Sequence, residues 1–226
     1  MIYRSQLGRS MIEMLGVLAV IGLLSVGGIA GYSKAMMNYK ISKTIEQINE
    51  ISARISAYGD QLSSYSGLNN YTAVRANLMP SGASYKKCGK EKSSTLTLSS
   101  ELLPLSGNNC NVINQFGGQI IVGAMNLNNS STINDEMAYG ILYTGIPEEA
   151  CLSLTTHDWA RGINSSLVGL AVNKLPLSTG GNDSLFLGCK GSGDHYACIH
   201  DIPVSPANAV KWCSPGDNNK LLLKYF

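Results

Sequence analysis

Twenty consecutive residues, Met14 to Ser33, carry no charge: MLGVLAVIGLLSVGGIAGYS. A helix rises about 1.5 Å per residue, so this run spans about 30 Å, the thickness of a bilayer's hydrocarbon core. Charge returns with Lys34, Lys40 and Lys43. Two other readings compete with a membrane span. A cleaved secretory signal peptide would use a small-x-small site such as Gly28-Ile29-Ala30, but the run is longer than the usual apolar region of about 7–15 residues. A buried core helix would need apolar surroundings, and nothing else in the chain is apolar enough to supply them.

Composition narrows the rest. Apolar residues make up 44% of the chain, enough for a core and too many for a disordered tail. Charged residues make up only 14%, against about 25% in an average soluble domain, and Gly, Ser and Asn fill the difference. A net charge of +2 from 17 basic and 15 acidic residues, with no Lys/Arg block, excludes an electrostatic nucleic-acid binder. Three histidines leave little room for His-based catalysis or a His-rich metal site. The 226 residues suit one domain plus an accessory element.

All six cysteines lie from Cys88 onward: Cys88, Cys110, Cys151, Cys189, Cys198 and Cys213. None forms a CxxC pair, and the even number with long spacings reads as up to three disulfides in an oxidising compartment. Count alone leaves the pairing open. Arg4 and Arg9 precede the apolar run while Lys34, Lys40 and Lys43 follow it, so the positive-inside rule does not orient it. The cysteines do, by placing the C-terminal part on the oxidising side.

After the apolar run the helical period continues through Ile41, Ile45, Ile48, Ile51, Ile55, Tyr58 and Leu62, with Lys43, Glu46, Glu50 and Arg54 between them. One helix from about Arg9 to about Leu62 is expected, half membrane and half amphipathic, ending at GDQLSSYSG. Gly16, Gly22, Gly27, Gly28 and Gly31 each weaken it by about 1 kcal/mol relative to Ala. They fit either a stretch that unwinds locally or close helix–helix contact in a membrane. Residues 63–116 read as irregular and polar, with a short apolar-periodic piece near Tyr71–Leu78 and an alternating STLTLS. Strands are expected at 117–126, 136–145, 165–174 and 218–226, with a short one at 184–188 and a tight turn from Cys189 to Cys198. Helices are expected at 146–160, with Pro147 and two glutamates in its first turn, and from Pro206 to Cys213. The fold class is α+β: a long N-terminal helix packed on an antiparallel sheet head with short helices and disulfides.

Glu13 breaks the apolar pattern, among Met11, Ile12, Met14 and Leu15. A carboxylate costs up to about 3 kcal/mol at the bilayer centre and less near its edge, so it marks a functional position with a cationic partner. The plainer reading is that it snorkels to the interface or pairs with Arg9, four residues earlier.

Gly8 is followed by Arg9-Ser10-Met11-Ile12-Glu13 and then the apolar run. This resembles the class III signal of type IV pilins and pseudopilins. The resemblance implies a prepilin peptidase cut after Gly8, a mature chain starting at Arg9 with N-methylation of its amine, and Glu13 as fifth mature residue. It further implies that Glu13 meets the free amine of a neighbouring subunit, a pair that sets register in a low-dielectric bundle. Arg9 departs from the pattern, where Phe or Met is usual. The chain then divides into leader 1–8, helix 9–62 with 14–33 as transmembrane segment and filament core, and head 63–226.

The C-terminal order narrows the resemblance to type IVb pilins, including those of conjugative thin pili and enteric adherence pili. A helix carrying Cys151, a later helix ending in Cys213, an Asn-rich turn and a final strand carry it. It implies a Cys151–Cys213 disulfide. Cys189–Cys198 and Cys88–Cys110 follow from proximity in sequence. The implied function is a structural pilus subunit, not an enzyme and without cofactor or metal. Its implied partners are copies of itself, prepilin peptidase and the inner-membrane assembly machinery. It resides in the inner membrane before assembly and then in an extracellular filament. The alternatives are a minor pilin or pseudopilin of a secretion or DNA-uptake machine, and a signal-anchored extracytoplasmic enzyme.

Other chemistry is weaker. Cys189, His195, Cys198 and His200 are zinc-ligand types at a spacing that matches no common finger. His157-Asp158 and His200-Asp201 lack a GxSxG nucleophile elbow. GGNDSLFLG lacks the Lys and following helix of a phosphate loop. Met36-Met37 reads as core or lipid-facing, and Glu148-Glu149 as favourable charge at a helix start.

Overall fold

The computed structural model describes residues 7–60, 64–81, 83–88, 110–125, 136–159, 166–174 and 195–226. The chain divides into two compact units, Met1–Lys40 and Ile41–Phe226. The first unit holds the leading part of helix α1 (Leu7–Gly59). The helix starts before the expected Arg9, so the Gly8–Arg9 bond lies in its first turn. It ends at Gly59 rather than Leu62 because the Tyr65 ring crosses there, so tightly that a Cβ on Gly59 would overlap the ring.

In the second unit α1 buries Ile41, Ile48, Ile51 and Ile55, the apolar stripe that the period marks. The stripe is not wholly apolar: Thr44, Gln47 and Ser52 are buried in it too. Ile45 falls on the flank and is half-buried, Tyr58 is exposed, and Leu62 lies outside the described residues.

The second unit continues with α2 (Asn70–Arg75), β1 (Ser84–Cys88), β2 (Cys110–Ile113), β3 (Gln119–Met125), β4 (Ala138–Ile146), α3 (Glu148–Thr155), β5 (Leu167–Val172), β6 (Tyr196–Cys198), α4 (Pro206–Trp212) and β7 (Asn219–Tyr225). The strands form one sheet in the order β1-β2-β3-β4-β7-β5-β6. Every neighbouring pair is antiparallel. The region expected to be irregular therefore holds α2, β1 and β2. SYKKC and CNVI are too short and too polar to show an alternation. STLTLS and residues 184–188 lie outside the described residues.

One face of the sheet carries Tyr139, Ile141 and Tyr143, across from Leu221, Leu223 and Tyr225, and receives α1. The opposite face carries a second cluster of Ile121, Met125, Ala138, Leu142, Ala171 and Leu222. Burial on both sides is why these strands read as nearly continuous apolar runs. Lys224 is buried as well, and its cross-strand neighbours are Gly140 on β4 and Gly169 on β5. Glycine on both sides leaves room along the row for the lysine stem.

Two side-chain amides hold places where the ladder stops. Asn70 of α2 donates to Cys110 O (2.9 Å) and Ile120 O (2.8 Å) and accepts from Val122 N (2.7 Å), joining β2 to β3 through a side chain. Asn69 caps α2 by accepting from Thr72 N (3.0 Å), while Thr72 Oγ1 accepts from Asn69 N (2.9 Å). Asn114 turns the chain between β2 and β3, accepting from Phe116 N and Gly118 N (2.9 and 3.0 Å) and donating to Thr144 O (2.7 Å). Gly118 is required there, since a Cβ would overlap the Thr144 carbonyl.

Candidate assembly site

The first unit concentrates the sequence features that a membrane or a second copy would meet. Gly8, Arg9 and Glu13 lie on one helix, α1. Glu13 is exposed between Ile12 and Met14, at 74% and 68% exposure. From Met11 to Ser33 every side chain is exposed, on all sides of the helix. Leu15, Leu18, Ile21, Leu24 and Ile29 are each more than half exposed. Such a surface is unfavourable in water, by about 25 cal/mol for each Å² of apolar area left uncovered. The two serines in the run are satisfied within the helix: Ser25 Oγ donates to Ile21 O (2.7 Å) and Ser33 Oγ to Ile29 O (3.1 Å). Backbone and serine hydroxyl groups thus ask nothing of a surrounding lipid or helix. A Cβ on Gly16, Gly22, Gly27, Gly28 or Gly31 would meet nothing within 4 Å, so each is a bare spot where another helix can approach closely.

In the second unit the sequence-expected cysteines meet in two places. Cys151 on α3 and Cys213, the residue that ends α4, form a disulfide with Cα atoms 5.9 Å apart. Thr155 Oγ1 lies against both sulfurs, 3.9 and 3.7 Å away. Cys88 and Cys110 form a second disulfide, directly across β1 and β2. Cys198 is also disulfide-bonded, and Cys189 lies outside the described residues. A bonded Cys198 has no thiolate to give a metal, which removes one ligand from the four-residue zinc cluster.

Helices α3 and α4 form as their local signals demand. Pro147 opens α3, and Glu148 and Glu149 sit exposed in its first turn, facing the positive end of the helix dipole. Helix α3 is shorter than the expected 146–160, because Ile146 remains in β4 and the chain leaves the helix after Thr155. Ser205 caps α4 by accepting from Asn208 N, and Pro206 takes the first turn. Asn219 then locks the turn after the disulfide. It donates to Ser214 O (2.8 Å) and Ile146 O (3.2 Å) and accepts from Ser214 N (2.7 Å) and Asn173 Nδ2 (2.8 Å). Asn70 and Asn219 are the site-building residues that periodicity does not reveal, because each works through contacts distant in sequence.

Two of the three histidines, His157 and His195, serve packing. His157 lies edge-on to Trp159 with ring centroids 4.6 Å apart. Burial pushes its pKa down, against the opposing pull of Asp158. His195 Nδ1 bonds to Val172 O (3.0 Å), and its ring stacks near Trp212. His200 and Asp201 occupy an exposed single-turn 3₁₀ helix.

A family model described as PilS N terminal matches residues 38–224, most of the chain. Among curated proteins none matches. Among solved structures, the type IV b pilin from Salmonella typhi superimposes with a TM-score of 0.52 at 15% identity, covering 81% of this chain and 98% of that one. At that identity the likeness is one of fold: a long N-terminal helix packed on an antiparallel sheet, with disulfides and short helices. The chain belongs to the PilS N-terminal family and has a type IVb pilin-like fold.

Proposed function

We propose that this chain is the precursor of a type IV pilus subunit, cut between Gly8 and Arg9 and polymerised through its apolar helix into a surface filament. The observation that carries the reading is the complete exposure of Met11–Ser33 on a continuous helix. That surface needs a lipid or helical environment on all its sides. A membrane supplies it before assembly and a bundle of identical helices afterwards. The partners are then copies of this chain, a prepilin peptidase that cuts after Gly8, and the inner-membrane assembly machinery. The head faces the oxidising side, where its disulfides form.

Glu13 is the assembly residue of this reading. Cleavage creates a free amine at Arg9, the site of N-methylation in this reading. Bringing that amine of one subunit to the carboxylate of another offsets the desolvation of both. Subunits in the wrong register leave two buried charges unpaired.

N-terminal sequencing and intact mass of membrane-extracted protein test the processing step. The expected start is Arg9, with a mass increment of one methyl group. A start near Gly31 would mean an ordinary signal peptide and sink the proposal. Replacing Gly8 by a bulky residue should leave uncut precursor in the membrane.

A further inference from the structure

We propose that the docked part of α1, residues 41–59, is built to leave the sheet while the sheet itself stays folded. Two independent features carry this.

The first is the polar seam between α1 and the sheet. Gln47 and Ser52 are buried on the helix side, and Tyr139, Tyr143 and Tyr225 on the sheet side. Tyr139 is paired, its hydroxyl meeting Ser56 Oγ (2.9 Å) and Ser52 O (3.1 Å). The others are not. Tyr143 OH, Tyr225 OH and Gln47 Oε1 are buried with no hydrogen-bond partner among the described residues. Ser52 lies beside Tyr225 without closing a hydrogen bond to it, its own hydroxyl donating to Asn49 O (3.1 Å). A buried polar group left unpaired weighs against the folded state, and it regains its hydrogen bonds as soon as water enters. These three groups sit at one interface. They therefore lower the free energy of separating α1 from the sheet without weakening the strand ladders. The other large polar tie of α1 does not reach the central sheet. Arg54 donates to Asn77 O (3.0 Å) and Met79 O (2.8 Å) and pairs with Glu50 (2.6 Å), which holds α1 to the connection between α2 and β1.

The second feature is the placement of the cysteines. No cysteine precedes Cys88, so no disulfide of this chain can fasten α1. The bonds Cys88–Cys110 and Cys151–Cys213 tie β1 to β2 and α3 to the end of α4. Everything covalently stapled lies on the sheet side of the seam; α1 is held to the sheet by isoleucines and a partly satisfied row of hydroxyls, and to the α2–β1 connection by Arg54 and Glu50. In the filament reading, axial load on the apolar helix reaches residue 41 through the chain itself, and undocking would lengthen each subunit reversibly. That consequence rests on the proposed function; the separability of α1 does not.

Hydrogen exchange of the full chain in detergent, read by mass spectrometry at low denaturant, tests the separability directly. Amides of Ile48–Ile55 are expected to exchange at least tenfold faster than those of Ile141 and Leu223, through an opening that leaves the sheet protected. Tyr143→Phe with Tyr225→Phe removes two unpaired hydroxyls and should slow exchange in α1 about tenfold while the sheet stays unchanged. Ser56→Ala, which removes a made bond, should speed it. One shared opening for α1 and sheet overturns the proposal, as do phenylalanine variants that exchange like wild type. If no fibre forms in any variant, the filament reading fails while the exchange result stands by itself.

Discussion

Asn70 shows how much a single amide holds. Its three hydrogen bonds join β2 to β3 where the strand pairing itself is short, Val112↔Ile120 and Ile113↔Gln119. Asn70→Ala would strand the Cys110 and Ile120 carbonyls and the Val122 amide in the interior. Chemical denaturation of the detergent-held chain should show a loss of about 3 kcal/mol. Asn70→Asp should not rescue it, because a carboxylate accepts but cannot donate to the two carbonyls. The role was not legible in the sequence. NNYTAVR shows a capping residue and a weak helical period, and nothing in it tells which strand the second asparagine will meet.

At the scale of elements, the sequence was most informative where a period is long or a run is apolar. Ile48, Ile51 and Ile55 announce the docked face of α1, and QIIVGAM, AYGILYTGI and NKLLLKY announce β3, β4 and β7. It was silent on β1 and β2, whose short sequences show no alternation and which a disulfide joins across the pair. The two described disulfides differ in what they constrain. Cys151–Cys213 closes a separation of 62 residues and Cys88–Cys110 one of 22. In the chain-entropy picture these contribute about 4.3 and about 3.4 kcal/mol. The bond with the longer loop also fixes α3 against α4, with Thr155 Oγ1 against both sulfurs. The Cys151→Ser/Cys213→Ser pair should therefore lower the melting temperature of the head more than the Cys88→Ser/Cys110→Ser pair. Non-reducing peptide mapping of each variant checks that the remaining bonds are unaltered.

At the scale of the whole molecule, two units with separate chemistry should fail separately. Glu13 lies in the first unit and every cysteine in the second. Glu13→Gln keeps the shape and removes the charge. The variant should insert, since a neutral amide is easier to place near lipid than a carboxylate. It should be cut, because Gly8 is unchanged, and its head should melt as wild type does. Fibre yield should collapse, with processed monomer accumulating in the membrane. Sheared fibre weighed against membrane monomer decides the matter, and normal fibre yield would leave Glu13 as an ordinary interfacial side chain.

The strand order has a consequence for how the protein is made. The last strand in the chain, β7, lies between β4 and β5 and contacts both along most of its length. Until it emerges, β1–β4 and β5–β6 are two separate half-sheets with raw inner edges, and Asn219 is not yet there to lock the turn after Cys213. The head therefore cannot mature progressively as the polypeptide is made. Its two half-sheets wait unpaired and then close in one step when residues 219–225 arrive. Folding of the head is in effect a check on whether the chain has been made as far as β7.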